Sequence, residues 1–430
     1  MLSTTAVAHK FFKSLASGVR LMSSARPVSC AKINAGDNQP QSLQVTLIEG
    51  QGTGPVVCAA VKKIFEAAHV PVQWDSQTLK VYREPKTNRM TVSPEVLSSA
   101  AKTGLVLRAQ DSTVGQSEMQ SSDSLALHKA LNAFVGVRKF VSVEGHQPYG
   151  PVKLVNIRDN VSGEYSEIEH LVTPGVVQSI KMVSMKSSLA VAEMAFKYAT
   201  ENGHSQITAL HKANVMRLSD GLFLKACRDV SVCYPNVVYK EEKLDSFCLN
   251  VTSDPQLNDD QLTTGEPKRY DVLLTTSLYG AFVGAVCGVL SGGMATVPAA
   301  AYGPNVAVFS TVSDYGYSSY CRSKDNCVVP RMLDDLEPIV NPTGIIRAAA
   351  WMLDHAGMVV AGRRITAAMD KTMLDGVRTR DMGGKASCAE FTDAIIANLD
   401  CLMSEIGEGG KDGKCGECGK GGKGGDKECC

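Results

Sequence analysis

Excess charge of either sign is absent: across 430 residues, 44 Lys and Arg balance 44 Asp and Glu. A neutral chain offers no electrostatic footprint for nucleic acid and no pull toward acidic lipid headgroups. Long hydrophobic runs are also missing. The uncharged stretch Tyr279–Met294 is broken by glycines and falls short of the roughly 20 residues a bilayer span requires. A buried helix and loop are expected there, and no membrane partner. Acidic residues are absent from residues 1–36, whereas Lys10, Lys13, Arg20, Arg26 and Lys32 are interleaved with Phe11, Phe12, Leu15, Val19, Leu21 and Met22. That acid-poor, basic, Ser-rich amphipathic composition is the one expected of a mitochondrial transit peptide, with the matrix as destination.

Cysteine is plentiful but lacks framework spacing. Of 14 cysteines, ten are scattered singly and four fall in the last sixteen residues. In a reducing matrix the scattered ones are expected to be thiols behaving as small hydrophobes. Residues 405–430 are Gly- and Lys-rich with almost no apolar side chains, the composition of a disordered tail. Cys415-x-x-Cys418 with Cys429-Cys430 leaves three alternatives open there: thiolate metal ligation, intermolecular disulfides, or no role.

Hydrophobic residues at 44% and charged residues at 20% describe an ordinary globular chain, long enough for one two-lobed unit or two domains. The β-branched run Leu43–Ile48, a glycine turn, and helical spacing of Val57, Ala60, Val61, Ile64 and Phe65 make the first half of a βαβ unit. Strands are expected at Val152–Ile157, Gln206–Leu210 and Asp271–Thr275. Helices are expected at Ser187–Thr200, Ser219–Val230, Ile345–His355 and Phe391–Leu402. The fold class is α/β. Asn258–Lys268 and Ser313–Pro338 are polar enough to be surface insertions.

Gly50-Gln51-Gly52-Thr53-Gly54-Pro55 has GxGxG spacing and no acidic residue at the end of a following strand. A tight strand-to-helix turn is favoured over a dinucleotide cradle. The words Ile157-Arg158-Asp159-Asn160-Val161-Ser162-Gly163-Glu164-Tyr165 and His211-Lys212-Ala213-Asn214-Val215-Met216 place an Arg near a Tyr, and a Lys at the start of a turn after a strand. Such groups suit acid/base work on an anionic substrate; taken singly, each equally suits a surface ion pair.

Together these words resemble the β-decarboxylating dehydrogenases, and among them the subunits of NAD-dependent isocitrate dehydrogenase, from about Val45 to Leu402. Val377-Arg378-Thr379-Arg380-Asp381-Met382-Gly383-Gly384 looks most like the noncatalytic, beta- or gamma-like subunits. The resemblance implies a large α/β domain made of residues 43–158 and 280–404, and a smaller domain, 159–279, that carries the dimer clasp. It implies oxidation of isocitrate by hydride transfer to NAD, then decarboxylation assisted by Mg or Mn.

By the same resemblance Arg138, Arg158 and Asn214 are substrate- or effector-binding residues, and Tyr165 is the proton-donating tyrosine. Lys212 is the catalytic lysine and Asp245 a metal-ligating aspartate, both reaching a neighbouring subunit's site. Departures gather where metal and cofactor belong. The family's two helix aspartates, at i and i+4 on one helical face, are Ala281 and Ala285 here. His128 replaces an arginine, Asp111-Ser112 replaces a Thr-Pro, and Gln51 and Val56 replace an Asp and a Glu. The word Ser-Asp-Tyr-Gly-Tyr-Ser at residues 313–318 replaces the cofactor word, although Asn341-Pro342 survives.

Two of three carboxylates for a hard cation are therefore gone. The expected role is a regulatory or supporting subunit that completes a catalytic partner's site, with NAD and Mg or Mn bound there and none bound by this chain alone. Citrate or an adenine nucleotide is the candidate effector. The alternatives are a structural or specialised protein outside the metabolic complex and an autonomous dehydrogenase.

Overall fold

A computed structural model describes residues 42–50, 52–85, 90–109, 123–253, 270–312 and 340–407, the last seven as backbone only. The expected leader, both polar insertions, Asp111-Ser112 and residues 408–430 lie outside the described residues.

The strands are β1 (Leu43–Ile48), β2 (Val72–Gln77), β3 (Val81–Arg83), β4 (Met90–Val92), β5 (Leu105–Arg108), β6 (Val135–Val141) and β7 (Lys153–Asp159). They continue as β8 (Glu169–Thr173), β9 (Val176–Ser179), β10 (Gln206–His211), β11 (Val238–Lys243), β12 (Val272–Thr275), β13 (Pro298–Tyr302) and β14 (Ala307–Thr311). Ten of them form one sheet in the order β11-β10-β12-β7-β6-β13-β14-β5-β1-β2. Pairing is parallel except around β6 and β13, which run antiparallel to their neighbours. β5 and β12 are buried at every position, whereas the edge strands β2 and β11 alternate toward solvent. This is the burial expected when helices cover both faces of a doubly wound sheet.

On one face pack α1 (Gly54–Ala67), α4 (Met185–Glu201), α5 (Ser219–Ser231), α8 (Thr343–His355), α9 (Val359–Leu374) and α10 (Cys388–Gly407). The other face is covered by α6 (Leu244–Ser253) and α7 (Ser277–Leu290) toward one end and by α2 (Pro94–Thr103) and α3 (Asp123–Ala130) toward the other. The expected central segment supplies β10, β11 and β12 at one end of the sheet and the separate hairpin β8–β9, whose residues are all exposed.

Every strand and helix expected from the sequence is present within a few residues. One boundary is corrected: α10 continues to Gly407, three residues into the expected 405–430 tail, because Glu405 and Ile406 carry a helix on before glycine takes over. The glycine word is a tight turn. Gly50 and Gly52 adopt φ of +68°, and a Cβ at Gly54 would lie 1.9 Å from the Glu49 carbonyl oxygen. The space that glycine leaves is filled by the chain itself.

Candidate functional site

β7, β12, β10 and β11 are parallel, so their C-terminal ends share one rim of the sheet, the position from which open α/β sheets bind ligands. Two groups of the expected residues lie along it.

The first group is cationic. Arg138 on β6 stands opposite Asn156, and Arg158 on β7 stands opposite Gly136. With a period of two along each strand, both arginines face the same side. That side is covered by α7, which brings Gly280 and Gly284 against them. A Cβ at Gly280 would lie 2.6 Å from Arg158 Cβ, and one at Gly284 would lie 2.5 Å from Arg138 Nη1. Asn156 braces the helix by donating to the Gly280 carbonyl at 2.9 Å. Arg158 donates from Nε to Asn160 Oδ1 at 3.1 Å, and its guanidinium carbon lies 5.7 Å from the centre of the Tyr165 ring.

Tyr165 sits on the single 3-10 turn Glu164–Ser166, which Glu167 closes at φ +58°. A Lys129–Glu167 ion pair at 2.6 Å ties that turn to α3, which carries His128. Burial, aggravated by Arg108, Arg158 and Arg138, pushes the His128 imidazole down to about 3. Burial, then Arg158, pushes Arg138 down to about 9. Both shifts come first from burial and second from neighbouring positive charge, and an anion would offset the second. The imidazole is held neutral and cannot form an arginine's fork.

Arg108 is a member of this group that the sequence did not single out. It is 3% exposed, ends β5, and donates to Ser124 Oγ at 2.6 Å. Its place as the last residue of an apolar run, at the C-terminal end of a parallel strand, was the available signal.

The second group lies two strands away. Lys212 follows β10, Asp245 opens α6 after β11, and their side chains form an ion pair. The Lys212 backbone N–H donates to Asp220 Oδ2 at 2.8 Å. Asn214 is exposed on the same turn, beside Val215 at 66% and Leu218 at 90% exposure. Asn214 is not brought to the arginines by any contact among the described residues, and Lys212 and Asp245 engage each other.

Ala281 is half-buried and Ala285 exposed, one position round α7 from the glycines that meet the arginines. Methyl groups offer a cation nothing, and among the described residues no group of three or more His, Cys, Asp and Glu side chains is arranged to hold a metal ion. The donor set of this chain's own pocket does not fit Mg or Mn. Asn341 is occupied structurally: Oδ1 accepts from Thr343 N at 2.9 Å at the start of α8, and Nδ2 donates to Asp381 at 2.6 Å. In the noncatalytic-like word, Arg378 donates to the Gly145 carbonyl at 2.6 Å and Asp381 also holds Thr379, so the word braces this corner.

A ten-strand doubly wound sheet with arginines and a tyrosine on its ligand-binding rim is a dehydrogenase scaffold. The chain belongs to the isocitrate/isopropylmalate dehydrogenase family, which residues 44–395 match. Among its relatives, the mitochondrial NAD isocitrate dehydrogenase subunit alpha of Homo sapiens is 38% identical over 357 residues, covering 82% of this chain and 89% of that one. The probable mitochondrial alpha subunit of Drosophila melanogaster is 37% identical over 359 residues, covering 83% and 87%. Isocitrate dehydrogenase from Methylococcus capsulatus superposes with a TM-score of 0.69 at 29% identity, covering 83% of this chain and 99% of that one. Both relatives are named as mitochondrial, the location expected from residues 1–36. No described helix is long and apolar enough to cross a membrane.

Proposed function

We propose that this chain is a noncatalytic, beta- or gamma-like subunit of a mitochondrial-matrix NAD isocitrate dehydrogenase. In this reading it supplies Lys212 and Asp245 to a catalytic partner's site, where NAD and Mg or Mn bind, and holds an anionic effector in its own pocket. The observation that carries the reading is the split along the rim. Ionisable chemistry is kept at the exposed turn and at Asp245, while the helix beside the arginines presents Ala281 and Ala285.

The exposed apolar groups agree with a protein partner. Leu171, Val172, Val176 and Val177 stand out from the β8–β9 hairpin, Val215 and Leu218 from the Lys212 turn, and Leu249 and Phe282 from α6 and α7. A lone two-stranded hairpin is marginal in water, and clustered exposed apolar side chains mark interaction surfaces. Within the pocket, Arg108, Arg138 and Arg158 around a neutral His128 suit a polycarboxylate such as citrate or a nucleotide phosphate.

Co-expression with a catalytic subunit tests the reading by steady-state assay. The complex should oxidise isocitrate, the chain alone should not, and Lys212→Ala should lower kcat of the complex by roughly 10²–10⁴-fold, the weight of a general acid–base group. Wild-type turnover by the Lys212→Ala complex would refute donation to the partner.

A further inference from the structure

Asp220 is the most thoroughly buried carboxylate that touches either group of site residues. Its side chain is 1% exposed. Oδ2 accepts from the backbone N–H of Lys212 at 2.8 Å and from the Tyr279 hydroxyl at 3.2 Å. Oδ1 accepts from Lys181 Nζ at 2.9 Å. The same ammonium lies 3.3 Å from Glu164 Oε1 and 4.4 Å from the centre of the Tyr279 ring. Glu164 begins the 3-10 turn that holds Tyr165. The groups Lys212 N–H, Asp220, Lys181 and Glu164 thus form a continuous chain from the turn of the exported lysine to the turn of the pocket tyrosine.

A lone charge this deep carries a large desolvation cost, and breaking such a pair by removing one partner is more damaging than never having it. A hydrophobic contact could close α5 onto the sheet more simply. What a carboxylate adds is direction. Two acceptor oxygens with fixed partners define the position of the Lys212 amide, and through it the start of the turn Lys212–Met216, which also closes by Val215 and Met216 N–H groups donating to the Lys212 carbonyl. Among the described residues, the Lys212 amide is anchored by Asp220 and its side chain by exposed Asp245.

We infer that Asp220, held by Lys181, is the positioning residue for Lys212, fixing the lysine's turn against the turn of Tyr165 so that occupancy of the pocket and placement of the exported ammonium are mechanically joined. This rests on the proposed donation of Lys212 to a partner. Removing the charge lets the turn move without deleting any group that touches substrate.

The complex with a catalytic subunit is assayed with Asp220→Asn and, separately, Lys181→Gln. Each is expected to lower kcat for isocitrate roughly 10–100-fold, the cost of an ångström-scale misplacement, with KM changed less than about twofold, because substrate would bind the partner's own arginines. The acid limb of the kcat–pH profile should shift, and Glu164→Gln should give a smaller loss of the same kind. A purely structural role would instead lower the yield of complex and leave kcat per assembled complex, and its pH profile, at wild-type values; that result overturns the inference.

If neither variant assembles, hydrogen exchange on the wild-type complex decides. The Lys212 amide should be protected like those of β10, and unprotected exchange there refutes the anchoring. Loss of activity with Lys212→Ala but none with either network variant sinks this inference alone. No loss with Lys212→Ala sinks the donation reading beneath it.

Discussion

The two ends of the rim answer opposite questions about charge. At the Lys212 end, a half-buried ammonium and an exposed carboxylate are paired with each other near exposed apolar side chains. At the α7 end, Arg138 and Arg158 meet a helix face that has glycines where it touches them and alanines beside the glycines. One end holds a matched pair of opposite charges. The other has positive charge that nothing in the helix neutralises, with a histidine driven neutral among the arginines. A self-sufficient metal-dependent site needs the reverse at α7, because a divalent cation among arginines requires carboxylates to offset both.

The largest effect that could break this contrast is the loss of turnover with Lys212→Ala described above. Next comes restoring charge to the depleted end. Ala281→Asp with Ala285→Asp places two carboxylates at i and i+4 on one face of α7, and Mn²⁺ affinity measured by electron paramagnetic resonance should tighten by roughly tenfold or more over the wild-type chain. Unchanged affinity would mean that the arginines absorb the new carboxylates and that charge count is not what the pocket lacks.

The contrast was largely legible in the sequence, and for a physical reason. Replacement of carboxylate by methyl is visible in one dimension, and i, i+4 spacing converts directly to a shared helical face. The order α/β was legible because β1, α1 and β10 carry strong periodic signals. The strands β2, β3, β4, β5, β6, β8, β9, β11, β13 and β14, and the helices α2, α3, α6 and α9, were not singled out. Their patterns are brief or, as in the fully exposed β8–β9 hairpin, contain no burial alternation to detect. Arg108 escaped because an arginine ending a strand is ordinary until the fold brings it, with Arg138 and Arg158, around His128. Asp220 escaped because its partners Lys181 and Tyr279 are 39 and 59 residues away.

Packing of α7 against the arginines gives a smaller, structural test. Gly280→Ala would place a methyl 2.5 Å from Thr275 Oγ1 and 2.6 Å from Arg158 Cβ, neither of which can swing aside. Overpacking should cost about 1–3 kcal/mol, partly offset by the better helix propensity of alanine, and lower Tm accordingly. Gly284→Ala meets the terminal Nη1 of Arg138 instead, a group that can rotate away. It should spare Tm while weakening citrate binding to the chain, measured by calorimetry. Equal Tm losses from both would show that Arg138 is locked in place rather than available to a ligand.

The smallest effect reports the electrostatic character of the pocket. His128 has an ordinary value of 6.5 and is held at about 3 when folded. Between those values the unfolded chain binds a proton that the folded chain refuses, so stability falls as pH drops below about 6.5 and the loss grows until about pH 3. The slope attributable to this one group is at most about 1.4 kcal/mol per pH unit. His128→Gln keeps a neutral polar side chain and should remove that slope, leaving urea unfolding of the variant flatter than wild type between pH 6.5 and 5. A bound polycarboxylate should flatten the wild-type slope in the same way, because a neighbouring anion lets the imidazole accept its proton while folded. A variant whose stability keeps the wild-type pH dependence would show that neither burial nor the three arginines holds the folded imidazole neutral.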